Sequence, residues 1–307
     1  PTTTAVRSGP SCAMHMLRRV AMAARAPARR QARRLTSVTP IELKRRHLPG
    51  PAGAAEPPLV LVHGIFGMGN NFATVGRKLA ARREVVLVDL RNHGGSPWHD
   101  DASFEAMRAD MEGVLESIGR PVSLCGHSLG GKVAMLTALQ RPDLVARLCV
   151  ADIAPVRYEM EANRAIIEAL LAVPETALGD RKEVDSALAA SETAIAQGGG
   201  GLGNPFVRGF LLQSLQPETR SWRLNLRALL GSYEALRGFP APAGSRAEMP
   251  ALFIGGANGG MLQPKHLPAC EALFPNARLE MVATGHFVHS EAPATFVELV
   301  DRFCADG

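Results

Sequence analysis

Short, continuous apolar runs rich in β-branched residues recur from residue 57 onward, each closed by turn residues: Leu59–Val62, Val85–Val88, Val122–Cys125, Leu148–Ala151, Leu252–Ile254 and Leu279–Val282. None alternates with polar positions, which is the pattern of strands buried on both faces of a parallel sheet. Between them, the spacing predicts helices over Asn71–Arg82, Phe104–Ile118, Lys132–Gln140, His266–Phe274 and Ala294–Cys304. Such alternation predicts a doubly wound, mostly parallel α/β domain. It breaks between about Arg157 and Pro250, where helical periodicity appears at Ile166–Leu171, Phe210–Leu215 and Leu224–Leu236, interrupted by a loop at Gly198–Gly201. Residues 156–248 therefore read as a helical cap inserted into one core made of 47–155 and 249–307. The insertion follows the strand that ends at Asp152, so it would cover the carboxyl edge of the sheet, where ligands bind in doubly wound folds.

Charge changes the picture only at the N-terminus. Residues 1–46 hold ten arginines and Lys44 against the single acid Glu42, a net of +10. The remainder holds 23 basic and 28 acidic residues, a net of −5. An Arg-, Ala- and Ser-rich stretch with almost no acids has the composition of an organellar transit peptide, mitochondrial or plastid, and Met16–Arg34 has the character of a basic amphipathic helix. A disordered tail or a nucleic-acid-binding arm is the competing reading of the same charge. The acidic remainder gives no reason to expect a nucleic-acid partner. No apolar run reaches the roughly eighteen residues a membrane span needs, so no transmembrane segment is expected. Five cysteines, Cys12, Cys125, Cys149, Cys270 and Cys304, are scattered without a CxxC pair, which argues for buried free thiols and against a zinc site.

The chemistry concentrates in VSLCGHSLGGKVAM, residues 122–135. A buried strand runs into Gly126-His127-Ser128-Leu129-Gly130 and directly into a helix, resembling the nucleophile elbow of the α/β-hydrolase superfamily. Ser128 is the candidate nucleophile. A serine hydroxyl needs a base to take its proton. His286, in the turn Ala283-Thr284-Gly285-His286 after the last strand, fits that role better than His289, which lies closer to the following helix. In most α/β-hydrolases the acid follows the strand corresponding to Ala251–Gly255. Here that loop reads Gly256-Ala257-Asn258-Gly259-Gly260 and offers no carboxylate. Asp152 ends the neighbouring strand about 4.8 Å away and keeps the order Ser, Asp, His. Asp89 is the competitor, although it precedes the nucleophile and is better placed to tie down Arg91–Ser96. The backbone amides of Leu129 and Ile65 are the expected oxyanion donors. Phe66 is expected to line the acyl site, and Trp222, in the cap, is the other expected substrate-binding side chain.

Four further segments narrow the resemblance. LVHGIFGMGNNF (61–72), VDLRNHGGSP (88–97), ADIAPVRY (151–158) and GHFVHSEAP (285–293) resemble one branch of the superfamily. That branch contains the mitochondrial alpha/beta hydrolase domain-containing protein 11 and related small bacterial esterases. FLLQSL (210–215) with WRLNL (222–226) resembles its cap. The resemblance spans about residues 57–305. It implies hydrolysis of short to medium acyl esters or thioesters without cofactor or metal, with the acid at the D-I-A-P aspartate. The same triad would also serve acyl transfer, and a non-catalytic binding protein on this scaffold is the alternative from another class.

Overall fold

The computed structural model describes residues 38–159, 161–193 and 201–305. The basic stretch expected to be a targeting leader falls largely on residues 1–37, outside the described residues, as does Cys12.

Among the described residues nine strands lie in chain order: β1 Arg45–Leu48, β2 Leu59–Val62, β3 Val85–Val88, β4 Val122–His127, β5 Val145–Ala151, β6 Leu215–Gln216, β7 Ser221–Trp222, β8 Ala251–Gly256 and β9 Ala277–Val282. The α-helices among the described residues are α1 Ala73–Leu79, α2 Phe104–Ile118, α3 Leu129–Gln140, α4 Ala162–Ala172, α5 Arg181–Ala189, α6 Pro205–Leu211, α7 Leu226–Arg237, α8 Leu267–Leu273, α9 Val288–Glu291 and α10 Pro293–Ala305. Seven strands form one sheet in the order β1-β3-β2-β4-β5-β8-β9, parallel throughout except for β1. β2, β3, β4 and β8 are buried along their whole length. Alternate residues feed two cores. Val60, Val62 and Leu124 face one that includes α2, α3 and the insert, while Leu59, Leu61 and Cys125 face one closed by α1 and α10. Coverage on both faces is why these strands read as unbroken apolar runs. Cys125, Cys149, Cys270 and Cys304 are free and buried.

Two features differ from the sequence expectation. The fold begins before residue 47: Leu43 is buried in the core, and β1 pairs antiparallel with β3 from Arg45 to Leu48. Arg45 and Arg46 count toward the basic stretch by charge, yet they sit on a sheet edge where their side chains reach solvent, so charge alone set that boundary too late. Phe210–Leu215 is likewise not one helix. α6 ends at Leu211, a 3-10 turn follows at Leu212–Ser214, and Leu215 enters the β6–β7 hairpin, whose partner residue is Trp222. An apolar spacing that fits a helix also fits a turn and hairpin whose residues point into one core.

The segment between β5 and β8 contributes α4 to α7 and the hairpin, and adds no strand to the large sheet among the described residues. Two sets of hydrogen bonds help anchor it. Gly94 N–H donates to Arg223 O (2.8 Å) and Asn225 N–H to Asn92 O (2.9 Å), which fastens it to the loop after β3. Lys132, buried on α3, donates to the carbonyls of Leu236 (3.4 Å), Arg237 (2.8 Å) and Gly238 (2.7 Å), capping the C-terminus of α7. Burial, then the charge of Arg157, pulls the Lys132 pKa down to about 7, and the three carbonyls, at the negative end of a helix dipole, compensate the buried ammonium.

Candidate active site

Between β4 and α3 stands a single residue, Ser128, with φ 52° and ψ −118°, far from any basin comfortable for a side chain. A Cβ on Gly126 would collide with the Gly130 carbonyl, and one on Gly130 with the carbonyl of His63. The G-x-S-x-G spacing is therefore a packing requirement of strand, turn and helix. The first N–H groups of α3 have no partner within the helix, which aims donors and the positive dipole end at the space beside Ser128.

Asp152 leaves β5 as Ser128 leaves β4, one residue beyond the paired positions His127 and Ala151. It too has a positive φ, 49°, and it is fully buried. Its Oδ1 accepts from the N–H groups of Gly256 (2.9 Å) and Leu262 (3.2 Å), and its Oδ2 from Met261 N–H (2.7 Å). The loop after β8, which lacks a carboxylate of its own, wraps around the one supplied by β5. Gly260 is glycine because a Cβ there would strike Asp152 Oδ1. Asn258 is exposed, and its N–H donates to Thr284 O (2.8 Å).

The remaining site on Oδ2 is taken by the ring of His286, whose Nδ1 lies 2.7 Å away. A buried carboxylate surrounded by N–H donors only accepts, so Nδ1 carries the proton and Nε2 is left as the basic nitrogen. The His286 side chain keeps 27% exposure, while the nearby rings of His63, His127 and His289 are buried. His289 stacks on Phe72 at 4.4 Å between ring centres, and burial lowers its pKa to about 3. His127 contacts the His286 carbonyl through Nε2 (2.9 Å) and is held well below the ordinary imidazole range by burial. His63 accepts Leu90 N–H on Nε2 (3.0 Å) and binds Gly64 O through Nδ1 (2.8 Å), and burial takes its pKa down to about 4. Those three rings stay neutral near pH 7. Asp89 accepts from Gly69 N–H (2.6 Å) and Gly95 N–H (2.8 Å), binding the loops after β2 and β3 together, as expected of it.

The α/β hydrolase fold family matches residues 57–293. This chain belongs to the α/β-hydrolase fold family. It is 40% identical over 263 residues to a Mus musculus protein named sn-1-specific diacylglycerol lipase ABHD11, an alignment covering 82% of each chain. Esterase YbfF of Escherichia coli (strain K12) is 32% identical over 255 residues, covering 81% of this chain and 93% of that one. A solved structure described as a marine microorganism esterase superposes with a TM-score of 0.76 at 30% identity, over 86% of this chain and 99% of that one.

Within this α/β-hydrolase, two cavities meet at Ser128, and Ile65 and Asn163 line both. The larger, about 200 Å³, is bounded by Phe66, Ile166, Phe210, His286 and Phe287. The smaller, about 50 Å³, is bounded by Leu129, Ile153, Tyr158, Leu236 and Met261. Phe66, expected at the acyl site, lines the larger cavity. Trp222, also expected to bind substrate, is instead buried in the β6–β7 hairpin and lines neither cavity. Its position in an insert rich in apolar residues carries no information about which ones face the cleft. Among the described residues no His, Cys, Asp and Glu group is arranged to hold a metal, and no helix is long and apolar enough to cross a membrane.

The sequence reading missed Glu291. Its Oε2 accepts from Gly285 N–H (2.7 Å) and its Oε1 from Phe287 N–H (3.0 Å), so one carboxylate clasps the backbone on both sides of His286. A displacement of about 1 Å near a reacting group can cost on the order of 10²-fold in rate. Glu291→Ala is expected to lower kcat by about tenfold, with KM nearly unchanged, and Glu291→Gln, which keeps one acceptor, is expected to recover part of the loss. Equal kcat for wild type and the alanine variant would remove this role. The available signal was a glutamate five residues beyond the histidine, recognisable only once the loop is seen to fold back.

Proposed function

We propose that this chain is a serine hydrolase that cleaves short- to medium-chain carboxylic esters or thioesters through an acyl-enzyme on Ser128. The chain is a carboxylic ester hydrolase. The observation that carries the mechanism is the 2.7 Å contact between His286 Nδ1 and the buried Asp152, in a cavity that His286 shares with the strained Ser128. His286 Nε2 takes the Ser128 proton as Oγ attacks the acyl carbon, and Asp152 orients the ring and balances its positive charge. The N–H groups of Leu129 and Ile65 receive the oxyanion. His286 then returns the proton to the departing alcohol or thiol, and water entering by the same route releases the acid.

Residues 156–248 serve as the cap, an assignment supported by Asn163, Ile166 and Phe210 on one cavity and Leu236 on the other. The Arg-rich composition of residues 1–46 supports delivery to mitochondria, with plastids the alternative.

A fluorophosphonate probe tests the mechanism directly. It is expected to label the wild-type enzyme on the peptide containing Ser128, in competition with p-nitrophenyl esters and acyl-CoAs. Label on another serine, or none, would refute the triad.

A further inference from the structure

The two cavities beside Ser128 are unequal, and the chemistry of ester cleavage distinguishes what each can hold. Resting on the triad proposed above, we infer that the small cavity is the acyl subsite and the large cavity the leaving-group subsite. The enzyme is thereby directed at esters of a short acyl chain with a bulky apolar alcohol.

The direction follows from proton transfer. When the tetrahedral intermediate collapses, the bond from carbon to the alcohol oxygen breaks and that oxygen gains the proton held on His286 Nε2. The alcohol therefore lies on the side of His286, and only the large cavity includes His286. The oxyanion points to the N–H groups of Ile65 and Leu129. The remaining substituent of the acyl carbon is the chain, and the remaining space is the small cavity, which has Leu129 in its wall. After the alcohol leaves, the vacated side admits the water that His286 activates, so both half-reactions use the same base.

Size then sets the class. A dry cavity of 150 Å³ accepts benzene, so about 50 Å³ accommodates roughly two or three carbons and about 200 Å³ roughly eight. The small cavity also has little freedom to grow. The Tyr158 hydroxyl donates to Met261 O (3.2 Å) and accepts from Ala154 N–H (3.0 Å), and Lys132 holds the α7 terminus that carries Leu236. The Tyr158 hydroxyl and the Lys132 ammonium are thus engaged with the protein, which pins the walls of a mostly apolar pocket. The large cavity offers Phe66, Phe210 and Phe287 to an apolar or aromatic alcohol.

Two ester series on the full-length enzyme separate the subsites. With p-nitrophenol constant and the acyl group lengthened from acetyl to decanoyl, kcat/KM is expected to fall beyond butyryl by about tenfold or more per added methylene, the lower range for a methylene that does not fit. With acetyl constant and the alcohol enlarged from ethyl to hexyl to naphthyl, kcat/KM is expected to rise. Leu236→Ala and, should that variant fold poorly, Met261→Ala are expected to shift the acyl optimum to longer chains, while the order of the acetates by alcohol size stays as in the wild type. Phe210→Ala is expected to depress the bulky acetates selectively. The assignment is overturned if long acyl chains are preferred, or if Phe210→Ala governs acyl length while the small-cavity variants govern the alcohol. Such a reversal alongside probe labelling of Ser128 leaves the triad standing, whereas loss of labelling and of all ester turnover removes both.

Discussion

Ser128→Ala is expected to lower kcat by about 10⁶-fold while leaving the melting temperature nearly unchanged, by analogy with the loss of the nucleophile in a serine protease. Alanine keeps the Cβ, so the backbone at φ 52°, ψ −118° retains its strain and β4 and α3 keep their junction. What disappears is the oxygen proposed to form the acyl-enzyme. The amides of Ile65 and Leu129 and both cavities persist, so a residual rate of roughly 10³–10⁴ over water is expected from binding and oxyanion stabilisation. Ser128→Gly provides a contrast, because removing the Cβ relieves strain of roughly 1–3 kcal/mol. It should be equally inactive and melt at a higher temperature than the alanine variant. Steady-state kinetics, thermal melting and probe labelling of the three proteins check these outcomes. Ester turnover by Ser128→Ala within tenfold of wild type would place the nucleophile elsewhere.

Asp152→Asn is expected to reduce kcat by roughly 10⁴-fold with little change in KM, the loss seen when a triad aspartate becomes an amide. The surroundings of Asp152 make the reason specific. Every direction around its two oxygens is occupied by a donor: Gly256 and Leu262 on Oδ1, Met261 and His286 on Oδ2. An asparagine presents one acceptor and one NH₂. If the NH₂ takes the place of Oδ2, it opposes Met261 N–H and forces the His286 proton onto Nε2, leaving no basic nitrogen for Ser128. If it takes the place of Oδ1, two backbone donors lose their partner. Each buried donor left unsatisfied costs roughly 1–3 kcal/mol, so this variant should also melt earlier than wild type. Asp89→Asn is the control, because Asp89 holds Gly69 and Gly95 and does not belong to the His286 chain. It should lose stability with a much smaller fall in kcat. Near-normal kcat in a folded Asp152→Asn enzyme, together with a collapse in Asp89→Asn, would transfer the acid to the earlier strand.

The parallel strands were legible from sequence because helices cover both faces of the sheet, so β2 and β3 had to be unbroken runs of valine and leucine. Ser128 was legible for a related reason: the elbow leaves no room for a Cβ at Gly126 or Gly130, and packing therefore writes itself into the spacing. Asp152 was legible through a gap, since the loop after β8 offered no carboxylate and β5 ended in one. β1 was hidden, because an edge strand turns charged side chains to solvent and RRHL reads as leader. In the insert, apolar residues face either the core or the cleft, and their spacing does not say which, so Trp222 was placed at the cleft and proved to be core.

The sequence by itself determined the strand–helix alternation, the elbow and the identities of Ser128, Asp152 and His286 as candidates, because these follow from local spacing and from the order of strands. Only the tertiary structure decided that the loop after β8 cups a carboxylate from β5, that Glu291 clasps the backbone around His286, and that two cavities of unequal size meet at Ser128. Each of those depends on atoms brought together across long stretches of chain, where distance in sequence carries no distance in space.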